Sequence, residues 1–328
     1  MSPEVALKAI DLFLDFRRRH PNAKPEPVSI GFNGGEPLLN FGLIRDCIRF
    51  IRERHRDAVV DYDINTNAAL LTDAVARVLK REHFSITTSL DGTLALNDAQ
   101  RRSKVPHASA FAATVEGLRC LKAAGHSSHA AIILVLTETN IEAVDGSFLR
   151  FVRTTLGVPR LVIEPDMSRA LSLSPKELAQ RVLAIKNEAQ KVAGLTVGGG
   201  WSTPFLNLIK ANPHRTPSYC SALSGFSVNV FPTGDIRACN YLDSSFTLVN
   251  VRDVSRFEDI VDHDSFKRSI LENFGGMKDG CANCSITGLC KGGCLVTATR
   301  GEETKAFHCE FLREITDLLI RECVIANN

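Results

Sequence analysis

The stretch "SIGFNGGEPLLNF", residues 29–41, sets a short apolar run directly before Gly-Gly-Glu-Pro. Val28, Ile30 and Phe32 alternate with smaller residues and read as a buried strand. Gly34 and Gly35 allow positive φ, or close approach of backbone to another group. Glu36 then stands at the strand's carboxyl end, where open α/β folds bind their ligands. In isolation the same letters also describe an ordinary strand-to-helix turn, so the surrounding sequence has to decide.

Working outward, residues 3–19 read as a helix. Ser2 can cap it and Pro3 suits the first helical position, with Ala6, Ile10, Phe13 and Leu14 as its apolar stripe. After the strand at 28–32 come a helix near 41–54, a strand at 59–65 and a helix over 72–81. "FSITTSL" (84–90) is the next strand and 108–124 the next helix. "AAIILVL" (130–136) is a near-continuous apolar run, as in a strand covered on both faces. A helix near 146–156, a strand at 160–164 and a long helix at 174–193 follow. Five strands, each followed by a helical pattern, predict a parallel sheet with helices outside, open or barrel-like. The alternation opens on a helix with no strand before it.

After about residue 195 the chain becomes loop-rich. "FSVNVFPTGDIRAC" reads as a hairpin with a Pro-Thr-Gly-Asp turn. Short helices are expected over 255–274. Residues 275–309 hold few apolar side chains and many Gly and Cys, so this region needs a staple such as metal. A helix at 309–325 ends the chain, with Phe311, Ile315, Leu318 and Leu319 on its apolar stripe.

Composition narrows the class. Hydrophobics at 44% and charged residues at 23% fit an ordinary soluble globular protein. A net charge of +2 makes no electrostatic case for nucleic acid or an anionic membrane. No apolar run approaches the roughly 20 residues a bilayer span needs. The amino terminus lacks a basic segment followed by an apolar one, so no secretory signal is read and a cytoplasmic location is expected.

Ten cysteines are the anomaly, and eight of them fall in the last third. In a reducing compartment clustered cysteines are metal ligands more often than disulfides. "CANCSITGLCKGGC" spaces Cys281, Cys284, Cys290 and Cys294 as Cys-x2-Cys-x5-Cys-x3-Cys, and Cys309 follows after a gap. Upstream, Cys220 precedes Gly234 and Cys239. Seven thiolates exceed one tetrahedral site. Iron–sulfur clusters take four thiolates each, with glycines that let backbone N–H groups face the sulfurs. The spacing by itself also suits a zinc ribbon. Cys47, Cys120 and Cys323 lie on helical patterns and read as small core residues.

Taken together, these seven cysteines resemble the SPASM domain, the auxiliary-cluster extension of radical S-adenosylmethionine (SAM) peptide and protein maturases, anaerobic sulfatase maturases included. The resemblance implies one [4Fe–4S] cluster on Cys281, Cys284, Cys290 and Cys309. It implies a second on Cys220, Cys239 and Cys294, with its fourth ligand open. The amino-terminal half resembles the radical SAM partial (β/α) barrel. There Gly34, Gly35 and Glu36 would hold the amino group of SAM. Asn65 and Asn67 end the next strand, Ser89 and Asp91 the one after, and these too are implied as cofactor-binding positions. "NDAQR" (97–101) looks like the family's His-Asp-x-x-Arg stretch, with Asn97 in place of His. "LTETN" (136–140) and "IEPD" (163–166) close the last two strands.

The family's Cys-x3-Cys-x2-Cys motif, which binds the SAM-cleaving cluster after the first strand, is not present in residues 1–328. The expected fold is therefore α/β: a radical SAM partial barrel over residues 1–195 missing its first strand, and a loop-rich SPASM domain with a terminal helix over 196–328. Three accounts are open: a trimmed or misassigned start, a natural loss or split of the first βα unit, or a non-catalytic partner that carries only auxiliary clusters. The expected function is a peptide- or protein-modifying maturase unable, as given, to cleave SAM, with SAM binding weakened or absent without that cluster. The alternative is a cluster-bearing scaffold for a precursor peptide or a second maturase. Anaerobic sulfatase maturases carry an Asp after the cysteine at 239. Asn240 stands there, and an amide is no base at neutral pH, which disfavours formylglycine formation. The strand at 28–32 is expected at a sheet edge, open to pairing with a second chain. Substrate, bond formed and oligomeric state are not read from the sequence.

Overall fold

The computed structural model describes residues 1–20, 27–209, 227–261, 281–290 and 292–326. The alternation appears as α1 (Pro3–Arg19), β1 (Val28–Phe32), α2 (Phe41–Arg54), β2 (Val60–Thr66), α3 (Asp73–Arg81) and β3 (Ser85–Ser89). It continues through α4 (Leu94–Gln100), α5 (Ala110–Ala123), β4 (Ala130–Leu136), α6 (Gly146–Arg150), β5 (Arg160–Pro165), α7 (Pro175–Ala193) and β6 (Thr196–Gly198). The six strands lie in the order β1-β2-β3-β4-β5-β6, and each pair from β2 to β6 is parallel. The expected α/β fold is present. β1 is an edge strand, joined to its neighbour at Val28 N–H to the Val59 carbonyl (2.9 Å).

Local chemistry explains the boundaries. Ser2 accepts from the Val5 amide and Pro3 opens α1. Ser174 and Glu177 form a reciprocal capping box ahead of α7, which ends at Gly194 in the left-handed region. The helix expected over 146–156 is α6 continued by a π-helical turn at Phe151–Thr155. β6 was not expected, because three residues are too few to show a period.

Two compact units are present. One comprises Met1–Ser29, Asn40–Val60 and the described part of Lys210–Thr299. In it, the expected hairpin forms from β7 (Asn229–Val230) and β8 (Asp235–Arg237), and β9 (Val249–Asn250) adds a third antiparallel strand. Gly234 sits at φ +92 in the hairpin turn, where a Cβ would collide with the Asn250 and Arg252 side chains. Val5, Ile236, Leu248, Val251, Phe257 and Ile260 form its core, with Phe13 and Phe16 of α1 against the Phe257 ring at 5.4 and 5.1 Å. The helices expected over 255–274 are represented by α9 (Glu258–Val261), and residues 262–274 lie outside the described residues.

The other unit comprises Ile30–Leu39, Asp61–Ile209 and Arg300–Asn328. It holds most of the parallel sheet, α8 (Thr203–Ile209) and a terminal helix of residues Glu302–Ala326. That helix buries Phe311, Leu312, Ile315 and Leu319 and packs along α7, where Glu322 receives Lys186 (2.8 Å) and Asn187 (2.5 Å). Among the described residues no helix is long and apolar enough to cross a membrane.

Candidate functional site

The two faces of the sheet differ in chemistry. Strand alternation puts Ile64, Ile86, Ile132, Leu134, Leu161 and Ile163 on one face, where all are buried. The opposite face carries Asp63 and Asn65 of β2, Thr87 and Ser89 of β3, Ile133 and Val135 of β4, and Val162 and Glu164 of β5. Each of these is half-buried. The register aligns Asn65 with Thr87, Ser89 with Ile133, and Val135 with Glu164. Asn65 and Ser89 were named from the motifs. Asp63 and Thr87 were not, although counting by twos from Asn65 and Ser89 would have found them, and Glu164 stands in the quoted "IEPD" without a role assigned to it.

Glu36 is fixed at the end of β1. Its Oε1 accepts from Thr66 Oγ1 (2.7 Å) and the Leu38 amide (3.0 Å), and its Oε2 accepts from the Asn67 amide (2.8 Å). A carboxylate has about four acceptor positions. Three are used, which leaves room on Oε2 for one more donor. Gly34 has φ +144, and a Cβ added at Gly34 or Gly35 would meet no atom within 4 Å. The turn is thus open beside the carboxylate. Asn67 Oδ1 accepts from the Ala69 amide (2.8 Å), so this side chain shapes the loop after β2.

Asp91 is buried and engaged. Arg101 grips both its oxygens (Nε 2.6 Å, Nη2 3.3 Å), and the Val135 amide donates to it at 2.9 Å. Asn97, in the position of the expected His, accepts from the Asp91 amide (3.1 Å). Asn140 donates to the Asp91 and Val135 carbonyls (2.9 Å each). These bonds tie the ends of β3 and β4 together. Arg101→Ala leaves a buried carboxylate without its cation. We expect a loss of about 3 kcal/mol, read as a lowered midpoint in urea unfolding with an unchanged slope.

The carboxyl-terminal cysteines occupy tight turns. The Cys284 amide bonds the Cys281 carbonyl (3.1 Å), and the Cys290 amide bonds the Ile286 carbonyl (2.8 Å). Cys290 closes α10 (Thr287–Cys290), and Cys294 precedes α11 (Leu295–Ala298). Gly292 and Gly293 sit at φ +104 and +73, and a Cβ on Gly293 would come 3.9 Å from Cys290 Sγ. Backbone therefore lies close to that sulfur, as cluster thiolates require. Cys239 and Cys281 pack on one small core of Ala238, Leu242 and Leu295. Among the described residues no three His, Cys, Asp or Glu side chains converge closely enough for a single ion. A cluster binds one thiolate per iron and so spreads its ligands around a cube. Cys309 lies on the terminal helix, α12 (Glu302–Ala326), and Cys220 is outside the described residues. Cys47 is buried on α2 with its thiol pushed up to about 11 by desolvation, which suits a core residue.

No family model matches the chain. The radical SAM cyclopropyl synthase TigE of Paramaledivibacter caminithermalis is 24% identical over 300 residues, covering 90% of this chain and 59% of its own length. The serine-type anaerobic sulfatase-maturating enzyme of Klebsiella aerogenes is 24% identical over 299 residues, covering 85% of this chain and 70% of its own. Among solved structures, native anSMEcpe with bound AdoMet and Kp18Cys peptide superposes with a TM-score of 0.75 at 18% identity, over all of this chain and 91% of that one. The chain is a relative of the radical SAM maturases and has their fold.

Proposed function

We propose that the protein is a radical SAM peptide- or protein-modifying maturase that carries two auxiliary [4Fe–4S] clusters and acts in the cytoplasm. The observation that carries this reading is Glu36, held by three donors at the end of β1 with one acceptor position open on the radical SAM fold. Residues 1–195 would hold SAM, with Gly34, Gly35 and Glu36 at its ammonium group and Asn65, Asn67, Ser89 and Asp91 around the remainder. Residues 196–328 would hold the clusters, one on Cys281, Cys284, Cys290 and Cys309, the other on Cys220, Cys239 and Cys294. The six described thiols are the right donors, and the positive-φ glycines beside Cys290 suit a sulfur-rich group. Bound there, the clusters would supply one-electron chemistry or a substrate-binding iron. Asn240 is exposed and is no base, so crosslinking, thioether formation or epimerisation fits better than formylglycine formation.

A second reading rests on the absence of Cys-x3-Cys-x2-Cys from residues 1–328: a non-catalytic, cluster-bearing scaffold for a precursor peptide or a second maturase. Under a reductant the two predict the same result, and the sequence upstream separates them. Residues 1–328 should release no 5′-deoxyadenosine when dithionite is added, with SAM bound weakly or not at all without the SAM-cleaving cluster. Release by this chain alone contradicts the assignment of its cysteines to auxiliary clusters. An in-frame Cys-x3-Cys-x2-Cys upstream of Met1 favours the maturase. A promoter and ribosome site immediately before Met1 favours the scaffold. We further propose that edge strand β1 takes a strand from a second chain. Amide exchange at residues 28–32 should then slow with rising protein concentration, and full protection in a dilute monomer would contradict it.

A further inference from the structure

Glu164 interrupts the apolar run of β5. Alternation places it on the polar face of the sheet, level with Val135 and near the carboxyl end of the strand. Its Oε1 accepts from the Gly200 amide at 2.6 Å, on the turn that follows β6. That turn is locked in place. The Trp201 indole N–H donates to the Ile163 carbonyl at 2.7 Å, and a Cβ on Gly199 would overlap the same carbonyl. Desolvation raises the Glu164 carboxyl to about 7, with the Gly200 amide opposing only in part.

Among the described residues its neighbours offer it no charge. β4 presents Val135 and Ile133, the same strand presents Val162, and the turn presents Gly199, Gly200, Trp201 and Ser202, none of which titrates. Asp166, two residues on, is turned to Ser168 and Arg169. Asp91, a buried acid near these strand ends, already has Arg101. Among the described residues no cation pairs with Glu164. A half-buried carboxyl among apolar side chains, with one backbone donor and no counter-charge among the described residues, has room for a positive group rather than another acceptor.

We propose that Glu164 is a binding residue of this site and takes a cationic group of the ligand, an ammonium or guanidinium on a peptide side chain. The peptide as ligand rests on the maturase reading. The sign of the pH dependence is fixed. A cation binds the carboxylate, so affinity rises as pH climbs through 7. Between pH 6 and 8 the ionised fraction goes from roughly one in eleven to ten in eleven, about a tenfold gain. A neutral acceptor such as a peptide carbonyl would bind the protonated acid and reverse that trend.

The test uses the full chain and two blocked tripeptides, acetyl-Gly-Lys-Gly-amide and its norleucine analogue. Trp201, the one tryptophan in the sequence, reports binding by fluorescence. Lysine keeps its charge over this pH range. The lysine peptide should bind about tenfold more tightly at pH 8 than at pH 6, and the norleucine peptide equally at both. Glu164→Gln should abolish the pH dependence and weaken the lysine peptide about tenfold at pH 8, with unchanged far-UV circular dichroism. No binding of the lysine peptide, equal binding of the two peptides, tightening toward low pH, or a Glu164→Gln variant that behaves as wild type would each overturn the assignment. Iron and sulfide are measured in parallel on the wild-type chain after anaerobic reconstitution. A protein without iron–sulfur clusters, with lysine binding intact, removes the maturase reading and keeps the Glu164 site.

Discussion

Glu36→Gln is expected to weaken SAM binding by about ten- to a hundredfold, measured by equilibrium dialysis of the anaerobically prepared chain. The amide keeps the shape of the carboxylate and one acceptor oxygen, but it brings two donors and no charge. A hydrogen bond to a charged group contributes about 1.5–3 kcal/mol, which is the stated range of affinity. Glu36→Ala should do more. It also strands the Thr66 hydroxyl and the Leu38 and Asn67 amides, and so loosens the turn that shapes the site. Glu36→Gln sets its NH2 against one of these donors and costs at least one of the three bonds, whereas Glu36→Ala costs all three. Unchanged SAM affinity in a folded Glu36→Gln protein would remove Glu36 from the ammonium site.

Cys281→Ala combined with Cys284→Ala should remove about four iron per chain, about half the total, and lower thermal stability. The segment from Cys281 to Thr299 has a small core, so a bound cluster would supply much of its order. Cys239→Ala should deplete the other cluster instead. Cys47→Ala, a buried thiol on α2, should leave the metal content unchanged. If the cysteine pair holds zinc, the double variant loses about one zinc and no iron.

The parallel sheet was legible because its strands are short apolar runs separated by helical periods, and because Gly-Gly-Glu-Pro follows the first of them. The burial of Ile132, Leu134 and Leu136 matches the run "AAIILVL". Other features depend on tertiary partners that no local pattern carries. Nothing in residues 3–19 announces that Phe13 and Phe16 pack on Phe257, more than 200 positions away. The motif around Asp91 points to a ligand position, whereas its carboxylate bonds are to Arg101 and Val135, which only the folded chain brings together. Glu164 was visible as one acid in an apolar strand. Its place on the polar face required the register of β4 and β5, and its raised proton affinity comes from desolvation in the fold, which the Gly200 amide opposes.

The central claim is that the carboxyl-terminal thiolates hold two iron–sulfur cubes. Its most direct measurement is iron, sulfide and zinc analysis with Mössbauer spectroscopy on the full chain after anaerobic reconstitution. The account predicts about eight iron and eight sulfide per chain in [4Fe–4S] form. A colourless protein with zinc and no iron, or one that saturates at four iron or fewer, would contradict it.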